Sequence, residues 1–371
     1  MSIRIREYDE GLAPALAEFN ERLRAGGNDT RFPSANVRTW LPTTPENPVY
    51  YQYYLAVDDQ GAVRGAYILK QQDFWLKGRS VSVGYIGLPV SEGIVNRAYA
   101  PVGVRLLVDA VRKQPLMYGL GMGGAQERLP QLLRAFGWSS FSVPFFFRIL
   151  HPYRFFRNIV YPRRSTAARL FADAVALSGL GWAAVKGLHA AWYRGAPPAN
   201  SLDCRLVDHF GDWADHLWAA CRGHYGLCAV RDCRMLELLY PSDQPFLRLQ
   251  VCESGKVIGW AVLLNTAFRD HRQFGQMTVG SVVDCLALPE NAAKVIAAAT
   301  RFLRGLGPDL IVSNQSHAAW CGAFRAAGYM RGPSNFLFAA SKELTQLLRS
   351  ANVEDSDLHF MRGDGDGPIN L

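Results

Sequence analysis

The strongest constraint on the fold is a succession of elements that occurs twice. Tyr53-Tyr54-Leu55-Ala56-Val57 reads as a short apolar strand, Asp58-Asp59-Gln60-Gly61 as a turn and residues 63–69 as the return strand. The pattern comes again with residues 247–252 as the strand, Glu253-Ser254-Gly255-Lys256 as the turn and residues 257–264 as the return. Gly65 and Gly259 stand at matching places just inside the second strand, where a glycine marks a bulge or a close backbone approach. Each hairpin leads into another apolar strand, 80–89 and 280–289, and then into a helical pattern. In residues 102–112 the helical face is Val104, Leu107, Val108 and Val111; in 291–306 it is Val295, Ile296, Ala299, Phe302 and Leu303. A short strand (116–119; 309–313), a further helix and a glycine-aromatic stop follow, Phe136-Gly137-Trp138 and Ala327-Gly328-Tyr329. A last strand closes each copy, 142–150 and 335–340. The offset of about 190–195 residues marks an internal duplication; the alternative is one large mixed sheet with coincidental similarity. Short turns join antiparallel strands, so an all-parallel sheet is excluded. The expected class is α/β (α+β), two tandem domains with mixed, mostly antiparallel sheets. The expected boundaries are 1–150 and 202–348, with a helical linker at 151–201 and a Gly/Asp-rich tail, extended or loosely docked, at 349–371.

Composition agrees with two globular domains. Of 371 residues, 49% are hydrophobic and 19% charged, which excludes whole-chain disorder, collagen and coiled coil. The seven cysteines all fall between Cys204 and Cys321, without a CxxC pair. With the opening Met1-Ser2-Ile3-Arg4, unlike a signal peptide, they point to reduced thiols in a cytoplasm. His216, Cys221, His224, Cys228 and Cys233 match no standard zinc spacing, so no metal is expected. The net charge is +8, and residues 128–172 hold eight arginines and no acid. In the linker Arg148, Arg154, Arg157, Arg163, Arg164 and Arg169 interleave with Phe145, Phe146, Phe147, Tyr153, Phe155, Phe156 and Tyr161. Such a segment fits an acidic acyl carrier protein or an anionic membrane face, which would place the protein at the membrane periphery. Packed aromatics under solvated arginines fit equally. No nucleic-acid reading motif is present. Residues 170–192 carry Asp173, Lys186 and His189, which argues against a spanning helix.

The order of elements, the two glycine-bearing hairpins and the glycine-aromatic stops resemble the GCN5-related N-acetyltransferase (GNAT) superfamily, in two tandem copies. The resemblance implies that a thioester donor, acetyl-CoA or another acyl-CoA or acyl-carrier thioester, lies where the fourth strand splays from the fifth. Its phosphates would then sit at the next helix N-terminus, on an Arg/Gln-x-x-Gly-x-Gly/Ala signature. In the first copy this puts the pantetheine along residues 87–90, with Leu88 and Val90, and the phosphates near Arg97, Gly103, Val104 and Arg105. Ala100 replaces the first glycine of the signature. The second copy, Leu288-Pro289-Glu290-Asn291-Ala292-Ala293-Lys294, has no glycine there. The tyrosine that protonates the leaving thiolate in the family is replaced by Phe324 in one copy and Leu133 in the other.

Acyl transfer needs a base. Asp284, a lone acid in an apolar run, is one candidate, since burial raises a carboxylate toward a useful range; a carboxylate paired with an arginine is the other reading. The matching residue of the first copy is Tyr85. His317 titrates in a range suited to proton transfer, or is an exposed helix-start histidine. Asn314 falls where the resemblance implies contact with pantetheine or the acid. Two functions follow: an N-acyltransferase acting on a small amine acceptor of the amino-sugar or amino-acid type, or a degenerate GNAT-like binding or scaffolding protein.

Overall fold

Both hairpins form where their turn chemistry puts them. The Asp58 carboxylate accepts the N–H groups of Gln60 and Ala62, and Gly61 takes φ +82°. Ser254 and Gly255 take φ +50° and +78° in the second turn. The computed structural model describes residues 2–33, 40–159, 187, 202–271 and 273–365. They fall into two units, residues 1–142 with 335–354 and residues 143–334 with 355–371.

The first unit runs β1 (Ile3–Glu7), α1 (Ala13–Ala25), β2 (Val49–Asp58), β3 (Val63–Leu76), β4 (Arg79–Ser91), α2 (Ala100–Lys113), β5 (Met117–Met122), α3 (Arg128–Ala135) and β6 (Ser139–Ser142). It is completed from far along the chain by β15 (Phe336–Ala340) and α9 (Lys342–Ser350). The sheet order is β1-β2-β3-β4-β5-β15-β6, parallel only between β4 and β5. α2 buries Val102, Leu106, Leu107 and Ala110 against Tyr54, Ala56, Tyr67, Leu69 and Ile86.

The second unit runs β7 (Phe145–Ile149), α4 (Pro152–Asn158), β8 (Leu202–Leu206), α5 (Asp212–Cys221), β9 (Leu227–Ala229), α6 (Cys233–Leu239), β10 (Leu247–Glu253), β11 (Lys256–Ala267), β12 (Thr278–Ala287), α7 (Ala292–Gly305), β13 (Leu310–Asn314), α8 (Ala318–Ala326), β14 (Met330–Gly332) and β16 (Leu358–His359). Its main sheet has the order β14-β7-β13-β12-β11-β10-β8, parallel only between β12 and β13. Gly65 and Gly259 serve the same end in the two units. A Cβ at Gly65 would collide with Val102 and Leu106 of α2, and one at Gly259 with Val295 of α7.

The two orders correspond strand for strand, and they correct the expected boundaries at 150 and 202–348. β15 follows the second copy in sequence but pairs between β5 and β6. β7 follows the first copy but pairs between β13 and β14. The cause is packing. Phe146 stacks on Phe324 at 5.2 Å and Arg148 donates to the carbonyl of Ala327. Phe338 stacks between Tyr118 and Phe141 in the first unit. Of the two expectations for the tail, the extended one fits its start, where Leu358–His359 is a strand, and residues 358–364 are buried rather than loosely docked. Most of the expected linker, 160–186 and 188–201, lies outside the described residues, with Tyr161, Arg163, Arg164 and Arg169.

Candidate functional site

In the first unit β4 and β5 pair only at Gly84↔Met117 and Tyr85↔Tyr118. β4 then runs on to Ser91 and β5 to Met122 with no further ladder between them. A bulge lies within the parted stretch: the β3 register jumps from Ala66↔Val90 to Ile68↔Gly87. Leu88 takes φ +44° there and is 39% exposed. Such a bulge re-aims a strand and ends its pairing. Across the gap β5 ends in Gly119-Leu120-Gly121-Met122-Gly123-Gly124, where residues 121–124 all have positive φ. That run of glycines is the sequence signal for the end of β5.

The loop from β4 to α2 is held by ion pairs. Glu92, buried, accepts from Arg22 Nε at 3.1 Å and from Arg64 Nη1 at 3.0 Å. Arg64 Nε also reaches Asp58 at 2.8 Å, and its guanidinium lies 4.4 Å from the Tyr99 ring centroid. The Glu92 carbonyl receives the N–H groups of Val95 and Asn96. Hydrogen bonds from Arg64 and from two backbone amides hold the Asp58 carboxyl below its usual range, although burial opposes them. Arg97 and Arg105 are exposed beside this network and have no acidic partner among the described residues. Gly103 and Val104 lie in the first turns of α2, and Val104 is 39% exposed. The gap, the bulge and two unpaired arginines at a helix N-terminus can hold an extended chain ending in anions. Tyr85 is buried in this unit; its ring lies 5.4 Å from that of Tyr118 and 5.6 Å from the Lys70 ammonium.

The candidates of the second unit all lie away from solvent, each with its own partners. Asp284 is wholly buried. Its Oδ2 accepts from Arg231 Nε and from the Tyr240 hydroxyl, each at 2.6 Å, and Oδ1 from the Cys285 N–H at 2.9 Å. Arg231 donates its other arm to Asp364 at 2.6 Å. Burial pushes the Asp284 carboxyl up, against the pull of Arg231. This is the paired carboxylate, with every oxygen engaged and no opening toward an amine. Asn314 accepts from Arg362 Nη1 at 2.8 Å. His317 caps α8, its Nδ1 accepting from the Ala319 N–H at 3.3 Å. It starts a helix as expected, but it is 7% exposed. Burial pushes its imidazole down to about 4, below the range the sequence reading assigned it. Phe324 and Leu133 are core residues.

The arginine segment is likewise partly structural. Phe145, Phe147, Phe155 and Phe156 pack on Ile149, Ile159, Phe274 and Met277. Arg154 approaches Asp309 to 3.5 Å, an acid supplied from far along the chain. Arg157 donates to the Tyr153 hydroxyl at 2.6 Å. No helix among the described residues is long and apolar enough to cross a membrane.

No family model matches the chain, and no curated protein matches it in sequence. Solved structures do match its fold. A GCN5-related N-acetyltransferase from Anabaena variabilis gives a TM-score of 0.53 at 11% identity, over 91% of this chain and 72% of that one. A probable N-acyltransferase from Enterococcus faecalis gives 0.51 at 10% identity, over 92% and 73%. Saccharomyces cerevisiae N-myristoyltransferase, solved with bound myristoyl-CoA and inhibitors, gives 0.50 at 11% identity, over 92% and 79%. The fold is therefore that of the GNAT N-acyltransferases. The chain resembles N-myristoyltransferase in having two such halves.

Proposed function

We infer that the protein is an N-acyltransferase whose thioester donor lies in the β4–β5 gap of the first unit. The observation that carries the reading is the loss of pairing after Tyr85, with the Leu88 bulge beside the α2 N-terminus. The backbone of Leu88 and Val90 would take the pantetheine amides. Arg97, Arg105 and the α2 turn with Gly103 and Val104 would take the phosphates. The reaction is attack of an amine nitrogen on the thioester carbonyl carbon. The C–S bond breaks, and the proton shed by the amine ends on the thiol. Structural neighbours that carry acyl-CoA support the class of donor. An amino-sugar or amino-acid type of acceptor remains part of the proposal. Asp284, Asn314 and His317 are left out of it, because each is buried in the scaffold of the second unit.

A second reading, a GNAT-like binding protein without turnover, is favoured by that same burial of the expected base and acid. Titration with acetyl-CoA tests the donor site. Arg97→Glu is expected to weaken binding about tenfold or more, roughly 1.4 kcal/mol, by setting like charge beside phosphate. Unchanged affinity would remove the site. Tight binding without transfer to any of a panel of amines would leave the second reading.

A further inference from the structure

The second unit repeats the parting of strands without the opening. β12 and β13 pair only from Val279↔Leu310 to Ser281↔Val312, and the Ser313 hydroxyl bridges to the Val282 carbonyl at 2.8 Å. Beyond that point the chain's own segment 358–365 occupies the separation. Leu358 and His359 pair with Leu227 and Cys228 as a parallel strand. The Ser316 N–H donates to the Phe360 carbonyl at 3.1 Å, and the Phe360 N–H to the Ser316 hydroxyl at 2.8 Å. Met361 bridges to Gln315 and sets its sulfur 3.5 Å from that of Cys285. Arg362 holds Asn314, and Asp364 takes Arg231 and the Met361 N–H. Gly363 lies so near Tyr240 and Asp284 that a Cβ would fall on the Tyr240 hydroxyl. One side of the segment thus engages the end of β13 and the other engages β12.

We propose that the gap of the second unit is a permanent peptide groove for segment 358–365, and that the chain therefore holds a single thioester site, in the first unit. The groove uses the chemistry the fold offers at this place, free strand edges and an unpaired turn, on a polypeptide in place of a pantetheine arm. A donor entering it would have to expel Leu358, Phe360 and Met361 from full burial. It would also strip Arg231 of one of its two carboxylates. A ligand shifts such an equilibrium only by its differential affinity for the two states. The single-site clause rests on the donor reading above; the groove itself does not.

Hydrogen exchange of the full chain, followed by mass spectrometry, tests both parts. Peptides covering 358–364 are expected to exchange as slowly as those covering 282–287, with and without saturating acetyl-CoA. Gly363→Val should speed both sets about tenfold or more and leave acetyl-CoA affinity within about twofold. Arg362→Gln, which weakens the hold on Asn314, gives the same readout should Gly363→Val fail to fold. Rapid exchange of 358–364 in the untreated chain would overturn the groove, as would its release by acetyl-CoA. Titration to two equivalents would overturn the single site. Should acetyl-CoA bind nowhere, the donor reading and its single-site clause fall, and slow exchange alone upholds the groove.

Discussion

Asp284 and His317 show how little the identity of a residue says about its work until its neighbours are known. The acid stands alone in its strand, yet Arg231, Tyr240 and the Cys285 amide converge on it. Arg231 lies 53 residues upstream, so nothing local in the sequence announces the pair. Asp284→Asn would leave the Arg231 guanidinium buried beside Asp364 alone. The expected loss is about 3 kcal/mol of unfolding free energy, read from urea denaturation, with acetyl-CoA affinity of the folded protein unchanged. A fall in turnover at unaltered stability would restore Asp284 as the base. His317 gives a pH dependence of definite sign. Its native value is pushed down to about 4 by burial, although Asp357 opposes this. The unfolded imidazole titrates near its ordinary 6.5. Between those values the unfolded chain binds a proton that the native chain refuses, so stability rises with pH. The contribution is fully present above about pH 6.5 and is lost as pH falls toward 4, roughly 3 kcal/mol at most. His359, wholly buried and also pushed down, adds to the same slope. Urea midpoints from pH 4 to 7 should rise with pH, and His317→Asn should flatten part of that rise.

At the scale of elements, periodicity and turn chemistry were legible, and partner choice was not. Gly65 and Gly259 could be read in advance because close helix approach forbids any Cβ, whichever strands surround them. The helices of 102–112 and 291–306 became α2 and α7, and the face expected for 291–306 is buried at Val295, Ile296, Ala299 and Leu303. In α2 the buried face is instead Val102, Leu106, Leu107 and Ala110, with Val104 exposed, because the valines of that helix occupy both its sides. Phe336-Leu337-Phe338-Ala339-Ala340 reads as a strand whichever sheet receives it, so its place between β5 and β6 could not be inferred. The burial of segment 358–365 is illegible in the sequence for a related reason. The glycines and aspartates suggest a loose tail, whereas Arg231 and the strand ends that accept it lie far off in the sequence. Beside its ladders with β5 and β6, the foreign strand β15 is held at its end by Ser341. The Ser341 hydroxyl donates to the Pro115 carbonyl at 2.7 Å and accepts the N–H groups of Met117 and Leu344 at 3.1 and 3.2 Å. It thereby caps α9 and ties β15 to the entry of β5. Ser341→Ala strands these groups in a buried place, and the expected cost is about 2 kcal/mol. A loss of unfolding free energy below a quarter of that in chemical denaturation would show that β15 docks without the anchor.

For the whole molecule, strand exchange changes what counts as a domain. A break near residue 150 follows the duplication in the sequence, but each unit takes one strand of its main sheet from the other side of that point, β15 for the first and β7 for the second. Fragment 1–150 would lack β15, leaving β5 with an unpaired edge and β6 with no neighbour in its sheet. It would also keep β7, an apolar strand whose partners β13 and β14 are absent. An exposed hydrophobic strand beside an open edge is a template for association. The expected outcome for 1–150 is therefore aggregation, or a broad unfolding transition by circular dichroism where the full chain unfolds cooperatively. Adding residues 335–354 in trans as a peptide should sharpen the transition, because that segment carries both β15 and its anchor at Ser341. A fragment ending at 150 that unfolds as a monomer with one sharp transition would show that β15 is dispensable to its sheet. The donor gap then could be studied in that fragment alone. Failure of 1–150 with rescue by the peptide would mean that the gap, which opens on the edge of β4 away from β3, depends on a strand encoded more than 200 residues after β5.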